Sequence, residues 1–330
     1  LEFRRVLFRS DSRYQDEYIP SAPYVLTEED MVTTVRRKRR LRLPILLFLA
    51  TCVSVFWAGA THWLPTFYLL GSEGPYPTLS VRHAMLTQWQ NGLIYMGCML
   101  GILSTHEMGH FLAALRYRIP ASFPFFLPLP ISSVGTMGAV IAMDGMRANR
   151  KEIFDIGLAG PIAGLVVAIP VLIIGVNKLD MTISGGLFEL QLPLLLKILF
   201  YFRAPPGYVA GSGISQWQLN PYFMAGWVGL LITGLNMLPV SQLDGGHVLY
   251  TVFGRKRAHA IARTLMVGAI ACIVALDLWS WMPMVFIVLM LGTDHPPTKD
   301  DSVKLGWFRM LIGVISLAIP LLCFPPRIFL

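Results

Sequence analysis

The stretch His106-Glu107-Met108-Gly109-His110 lies inside an apolar run from about residue 91 to 115, and its reading decides the fold. A helix needs about 20 mostly apolar residues to cross roughly 30 Å of hydrocarbon, so this run suits a membrane span. Three ionisable side chains within such a span are expensive, and by default they mark function. A lone histidine there would read as a hydrogen-bonded packing residue. Helical spacing, however, brings His106 and His110 one turn apart on one face, where two imidazoles reach one Zn²⁺ at about 2.0–2.1 Å. Glu107, adjacent and not a ligand, has the complementary task. It takes a proton from a water that the metal has made acidic and delivers it to a leaving amine.

Two histidines leave a catalytic zinc short of a third protein ligand. The run Asn236-Met237-Leu238-Pro239-Val240-Ser241-Gln242-Leu243-Asp244-Gly245-Gly246 supplies a candidate in another apolar segment. Pro239 interrupts the helix begun near Tyr222, and the paired glycines allow a sharp turn and close backbone approach. Asp244 is then held at a broken helix end, at the depth of His106 and His110. The plainer reading has Asp244 only capping the helix before Arg255. His247 is a weaker ligand candidate, read as a packing or interfacial residue.

Outward from these motifs the composition agrees with a lipid environment. Hydrophobic residues make up 55% and charged residues 14% of the chain, against about 25% charged in soluble domains. The net charge of +8 does not argue for nucleic acid as a partner, because most Lys and Arg sit in short stretches between apolar runs. Candidate spans fall near 44–64, 91–115, 153–176, 222–240, 260–278 and 306–324. A basic tail, Arg36 to Arg42, placed in the cytosol, leaves Arg116, Arg118, Arg147, Arg150, Lys151, Arg255, Lys256, Arg257 and Arg263 inside as well. Lys299, Lys304 and Arg309 join them only if the short apolar stretch 281–293 also crosses, which favours seven spans over six. The expected class is therefore an all-α polytopic membrane protein with six to seven transmembrane helices and a small re-entrant β-hairpin.

The expected organisation is a cytosolic basic tail over 1–43, a membrane-embedded domain over 44–324 and a short tail over 325–330. Residues 1–10 read like a cloning or assembly scar, and Ala58-Gly59-Ala60 resembles a cleavage site preceded by too long a leader. The four cysteines form no CxxC pair and suggest neither a disulfide framework nor a thiolate metal site. The segment Ser122 to Met143 opens Phe123-Pro124-Phe125-Phe126-Leu127-Pro128-Leu129-Pro130, apolar yet too proline-rich for a helix. Non-helical backbone at membrane depth needs protein or a watery cavity around it, so this segment is expected to line the site; a hydrophobic interfacial loop is the alternative.

The ordered pair of motifs, HExxH in one span and NxxPxxxxDG in a later one, resembles the site-2 proteases, a family of intramembrane zinc metalloproteases. The resemblance covers roughly 91–297. It implies a metal site of His106, His110 and Asp244 holding one Zn²⁺, with Glu107 as catalytic base. It further implies Asn236 as a substrate-positioning or carbonyl-polarising residue, although an interhelical hydrogen bond would suit a mid-span Asn equally. A family hairpin with a Gly-containing motif corresponds to Gly135-Thr136-Met137-Gly138, making Gly135 and Gly138 candidate substrate-binding positions. Gly160-Pro161-Ile162-Ala163-Gly164 also resembles a family sequence, and physically it reads as close helix packing with a kink and no chemistry. The loop from about 177 to 221 lacks room for a PDZ domain, so the bacterial type without one is expected, in a bacterial inner membrane with a cytoplasmic N-terminus. Partners would be a transmembrane protein substrate and the lipid bilayer. A metal-handling transporter or an inactive membrane scaffold is the alternative; the former would not need Glu107.

Overall fold

Backbone groups in lipid must satisfy one another, and the apolar runs do this as helices. The computed structural model describes residues 41–69, 81–183, 185–292, 295–325 and 327–328. The expected tail through residue 40, with the suspected scar, lies outside the described residues.

Helix α1 covers Arg42–Ala60, α2 Pro65–Leu69, α3 Val81–Thr87 and the motif helix α4 Trp89–Arg116. After strands β1 (Phe125–Pro128) and β2 (Thr136–Val140) comes α5, Arg150–Asn177. Strand β3 (Glu189–Leu190), α6 (Leu194–Arg203) and β4 (Ile214–Ser215) lead to α7 (Pro221–Asn236) and α8 (Asp244–Phe253). Helices α9 (Arg255–Ala275), α10 (Met282–Leu291), α11 (Trp307–Ser316) and α12 (Ile319–Cys323) follow.

Among the described residues α1, α5 and α9 are long and apolar enough to cross a membrane. The motif helix α4 has the 28-residue length of α5 but carries polar groups that lower its mean hydropathy. Three other expected spans differ from the sequence reading, each for a backbone reason. Helix α7 stops at Asn236 and not at 240, because Pro239 has no N–H and disfavours helical geometry in the residue before it. The run 306–324 is two helices, broken before α12, where Pro320 sits in the first turn. Helix α10 has 10 residues, about 15 Å of rise against a hydrocarbon core of about 30 Å.

Long-range hydrogen bonds show which helix ends share a side. The Arg150 guanidinium donates to the carbonyls of Thr251 (2.6 Å) and Val252 (3.3 Å) at the end of α8. Lys299 N–H donates to Ala148 O at 2.9 Å, and Arg150 N–H to Asp300 O at 3.2 Å. Tyr117, just past α4, donates to Asp155 of α5 at 2.5 Å. Arg116, Arg118, Arg147, Arg150, Lys151, Arg255 and Lys299 thus gather at one end of the bundle. At the other end Asn220 Nδ2 donates to Gly175 O (2.9 Å) and Gln216 Nε2 to His62 O (3.0 Å). Since α9 starts beside Arg150 and Lys299 is back beside Ala148, the chain returns between residues 276 and 298.

Helices α4, α5 and α7 pack together around Tyr95, Met99, Leu103, Leu172, Phe223 and Trp227. The segment Ser122 to Met143 is a hairpin: β1 and β2 pair antiparallel with Phe125 opposite Val140 and Phe126 opposite Ala139, and a bulge follows before Pro128 opposite Thr136. Its turn carbonyls are occupied by the bundle. Ser54 Oγ donates to Gly135 O (2.5 Å), Thr66 Oγ1 to Ile131 O (2.6 Å) and Tyr95 Oη to Val134 O (3.1 Å). Gly135 and Gly138 both hold positive φ, 82° and 104°, where a Cβ is disfavoured. The stretch Glu189 to Arg203 pairs β3 with β4 and then forms α6, with Leu196 and Phe200 inward and Tyr201 and Phe202 exposed.

Candidate metal centre

Helix α4 presents His106, Glu107 and His110 on its buried side, and all three are buried. Asp244 is the first residue of α8, so a pair one turn apart on one helix meets the start of another. His106 Nε2 and His110 Nε2 are 3.2 Å apart. Asp244 Oδ2 lies 3.3 Å from each. The edge of a tetrahedron whose corners stand about 2.0–2.1 Å from its centre is about 3.3–3.4 Å, so these three atoms have the spacing of one face of a zinc coordination sphere. Among the described residues this is the group of His, Cys, Asp and Glu atoms close enough to share a metal ion.

The chemistry of the donors agrees with the spacing. His110 Nδ1 is 2.8 Å from the carbonyl of Ile156. A carbonyl only accepts, so Nδ1 carries the ring proton and Nε2 of the neutral imidazole is a bare lone pair. That lone pair faces a carboxylate oxygen, and two acceptors at 3.3 Å need a cation or proton between them. The residues present therefore fit a divalent metal.

Helix α5 makes room for both rings. A Cβ built on Gly160 would overlap the imidazole of His110 at its Nε2 edge, with Nε2, Cδ2 and Cε1 nearest. One on Gly164 would stand 3.0 Å from His106 Nδ1. Gly109, between the two histidines, likewise faces Ala159 O at 2.5 Å from its would-be Cβ. The Gly160–Gly164 segment, assigned no chemistry from sequence, therefore shapes the site. Its signal was the four-residue spacing of small residues, which indicates a close helix contact without saying what lies in it. Pro161 removes the N–H that would bond the Gly157 carbonyl, loosening the turn whose Ile156 carbonyl receives His110.

Asn236, the last residue of α7, places Nδ2 3.2 Å from His106 Nε2. It borders the three ligand atoms. Gly135 and Gly138 stand in the hairpin, and β2 packs along α4. His247 is not among the metal-ligand atoms; its Nδ1 is 2.6 Å from His295 Nε2.

Residues 94–276 match the family model described as Peptidase family M50. A protein of Oryza sativa subsp. japonica named probable zinc metalloprotease EGY1, chloroplastic, is 29% identical over 303 residues, covering 86% of this chain and 50% of that protein. The Arabidopsis thaliana protein of the same name is 31% identical over 239 residues, covering 68% and 41%. A third, probable zinc metalloprotease EGY2, chloroplastic, of Arabidopsis thaliana, is 29% identical over 246 residues, covering 68% and 40%. The chain spans half or less of the length of these curated relatives.

Proposed function

Because the chain belongs to peptidase family M50, we propose that it is an intramembrane zinc metalloprotease that hydrolyses peptide bonds in or near transmembrane segments of other membrane proteins. One observation carries this reading above the others. Ligand atoms of His106, His110 and Asp244, from two helices and 138 positions apart at the extremes, meet at 3.2–3.3 Å.

These three residues hold one Zn²⁺, which supplies Lewis acidity and lowers the pKa of water to about 7. Ile156 keeps His110 in the tautomer that leaves Nε2 free. Glu107 is the base, buried beside the ligands, and moves a proton from water to the departing amine. Asn236 offers an amide donor at the edge of the ligand cluster and orients the substrate carbonyl. A helical substrate segment hides its amides in its own hydrogen bonds and must unwind; an open edge of the β1–β2 hairpin, shaped by Gly135 and Gly138, takes up the freed groups as an added strand.

The topology that goes with this has the basic end of the bundle in the cytosol, the broken pair α7–α8 as one crossing and α10 as a short seventh crossing that returns the chain. The chain is a multi-pass protein of the bilayer, in our reading the bacterial inner membrane, with a domain over 44–324 that selects substrate without a PDZ domain. The test is bound zinc measured together with cleavage of a model transmembrane peptide. Zinc without cleavage returns the metal-transporter reading to first place; neither zinc nor cleavage leaves an inactive scaffold.

A further inference from the structure

Asp244 opens a helix of only 10 residues, preceded by the non-helical break 237–243. Neither its own length nor the preceding chain fixes such a helix in place, since short helices depend on tertiary contacts. The contacts that hold it lie outside the ligand cluster.

His247 stands three residues after Asp244, near it on the helix surface, and Tyr250 three further on. Both meet His295, on the segment after α10. His295 is buried, at 6% exposure. Its Nδ1 is 2.5 Å from the carbonyl of Pro296, which only accepts, so Nδ1 is protonated and Nε2 is a bare acceptor. His247 Nδ1, 2.6 Å from that Nε2, must then be the donor. The proton pattern along Pro296, His295 and His247 has one solution. The His295 ring also stacks on Tyr250, with centroids 4.3 Å apart at 28°. Tyr250 Oη donates to Asp301 Oδ2 at 2.8 Å, and Thr298 Oγ1 to Asp301 Oδ1 at 2.6 Å. His295 N–H donates to His259 Nε2 of α9 at 3.3 Å.

We propose that His295 is a positioning residue for the metal centre: residues 295–301 form a strap whose imidazole accepts from His247 and stacks on Tyr250, holding α8 so that Asp244 reaches His106 and His110. This rests on the reading of Asp244 as a metal ligand. The strap is itself pinned to the start of α5 through Lys299, Asp300 and Arg150. The helix that carries the third ligand already meets α5 directly, through Arg150 and the packing of His247 on Gly157, and His295 keys it there a second time. Partners that hydrogen-bond a ligand directly change metal affinity about 10- to 100-fold when removed, and His295, which acts on Asp244 through α8, is expected at or below the lower end of that range.

The experiment measures the zinc dissociation constant of the full chain by chelator competition, with the melting midpoint in excess chelator as a separate reading of the metal-free fold. His295→Phe keeps the ring stack and removes the acceptor; His295→Gln restores an acceptor near the Nε2 position. We expect His295→Phe to weaken zinc by up to about 10-fold and His295→Gln to recover most of that loss. A purely structural role would not be rescued in this selective way. His247→Phe removes the donor and predicts the same loss, which keeps the test decisive if His295→Phe does not fold. Zinc held at wild-type strength by His295→Phe and His247→Phe, with Asp244→Ala releasing it, overturns the strap alone. Unchanged zinc in Asp244→Ala overturns the ligand assignment and the strap with it.

Discussion

One methyl group on Gly160 tests the site most sharply, because its Cβ would overlap the Nε2 edge of the His110 imidazole. Reaching an ordinary contact of about 3.5 Å requires the ring to yield by well over an ångström at its nearest atom, Nε2. A shift of that size breaks the 2.8 Å bond from His110 Nδ1 to Ile156 O and takes Nε2 out of the triangle with His106 and Asp244. Metal sites tolerate only about 0.2 Å in ligand distance. Overpacking of this kind costs about 1–3 kcal/mol, which corresponds to roughly 5- to 150-fold in zinc affinity. Gly164→Ala should do less, since its Cβ would stand 3.0 Å from His106 Nδ1 and 3.2 Å from its Cβ. Gly101→Ala, five residues before His106 on α4, meets nothing within 4 Å, and gains about 0.5–1 kcal/mol of helix stability. The same chemical change is therefore expected to weaken, slightly weaken or leave intact the zinc site, in the order 160, 164, 101. Chelator competition gives the affinities, and melting with and without zinc separates site damage from global loss. If Gly160→Ala binds zinc as Gly101→Ala does, His110 does not sit against α5 and is not a ligand held there.

Four further outcomes follow from the same geometry. His106→Ala, His110→Ala and Asp244→Ala should each release zinc from the expected one per chain; retention by all three in elemental analysis would remove the site assignment. Glu107→Gln should keep zinc and fold while cleavage of a model transmembrane peptide drops about 10²- to 10⁴-fold, and substantial residual cleavage would show that Glu107 is not the base. Gly135→Val should lower turnover more than Gly138→Val with zinc unchanged, since its Cβ would lie 2.7 Å from Val55 Cα and 2.8 Å from Ser54 O while Gly138 has open space and only the φ penalty. In that assay substrates with Gly, Pro or Asn near the scissile bond should beat Leu counterparts, and equal cleavage by all variants would reduce the hairpin to a surface loop. Burial, and then the neighbouring His247, push the His295 imidazole down from 6.5 to about 3. The neutral ring contributes stability that is fully present above pH 6.5 and is lost as pH falls toward 3, at up to about 1.4 kcal/mol per unit. The wild-type melting midpoint should fall more steeply across that window than that of His295→Gln; parallel curves would refute it.

Much of the centre was legible in the sequence because it depends on local periodicity. Two histidines four apart on a helix share a face wherever that helix lies, and a glutamate next to one of them sits beside the same pair. The cost of charge in lipid singled out Asp244, and the proline-rich run 123–130 excluded a helix where the hairpin now stands. The placement of basic residues gave the common end that the bonds from Arg150 and Lys299 make visible. What only the tertiary structure decided concerns faces and breaks. Nothing local tells Gly160 and Gly164 that two imidazoles fill their surface, since that depends on how α4 packs on α5. The split of the last apolar run before Pro320 and the ten-residue length of α10 reflect backbone bonding that hydropathy does not register. His295 is 51 positions from Asp244 in sequence, and its contact with His247 and Tyr250 exists only because α9 and α10 bring the chain back to the end from which α9 departs. Periodicity is a property of one segment, whereas which groups meet across segments is set by packing, and packing has no short-range signature to read.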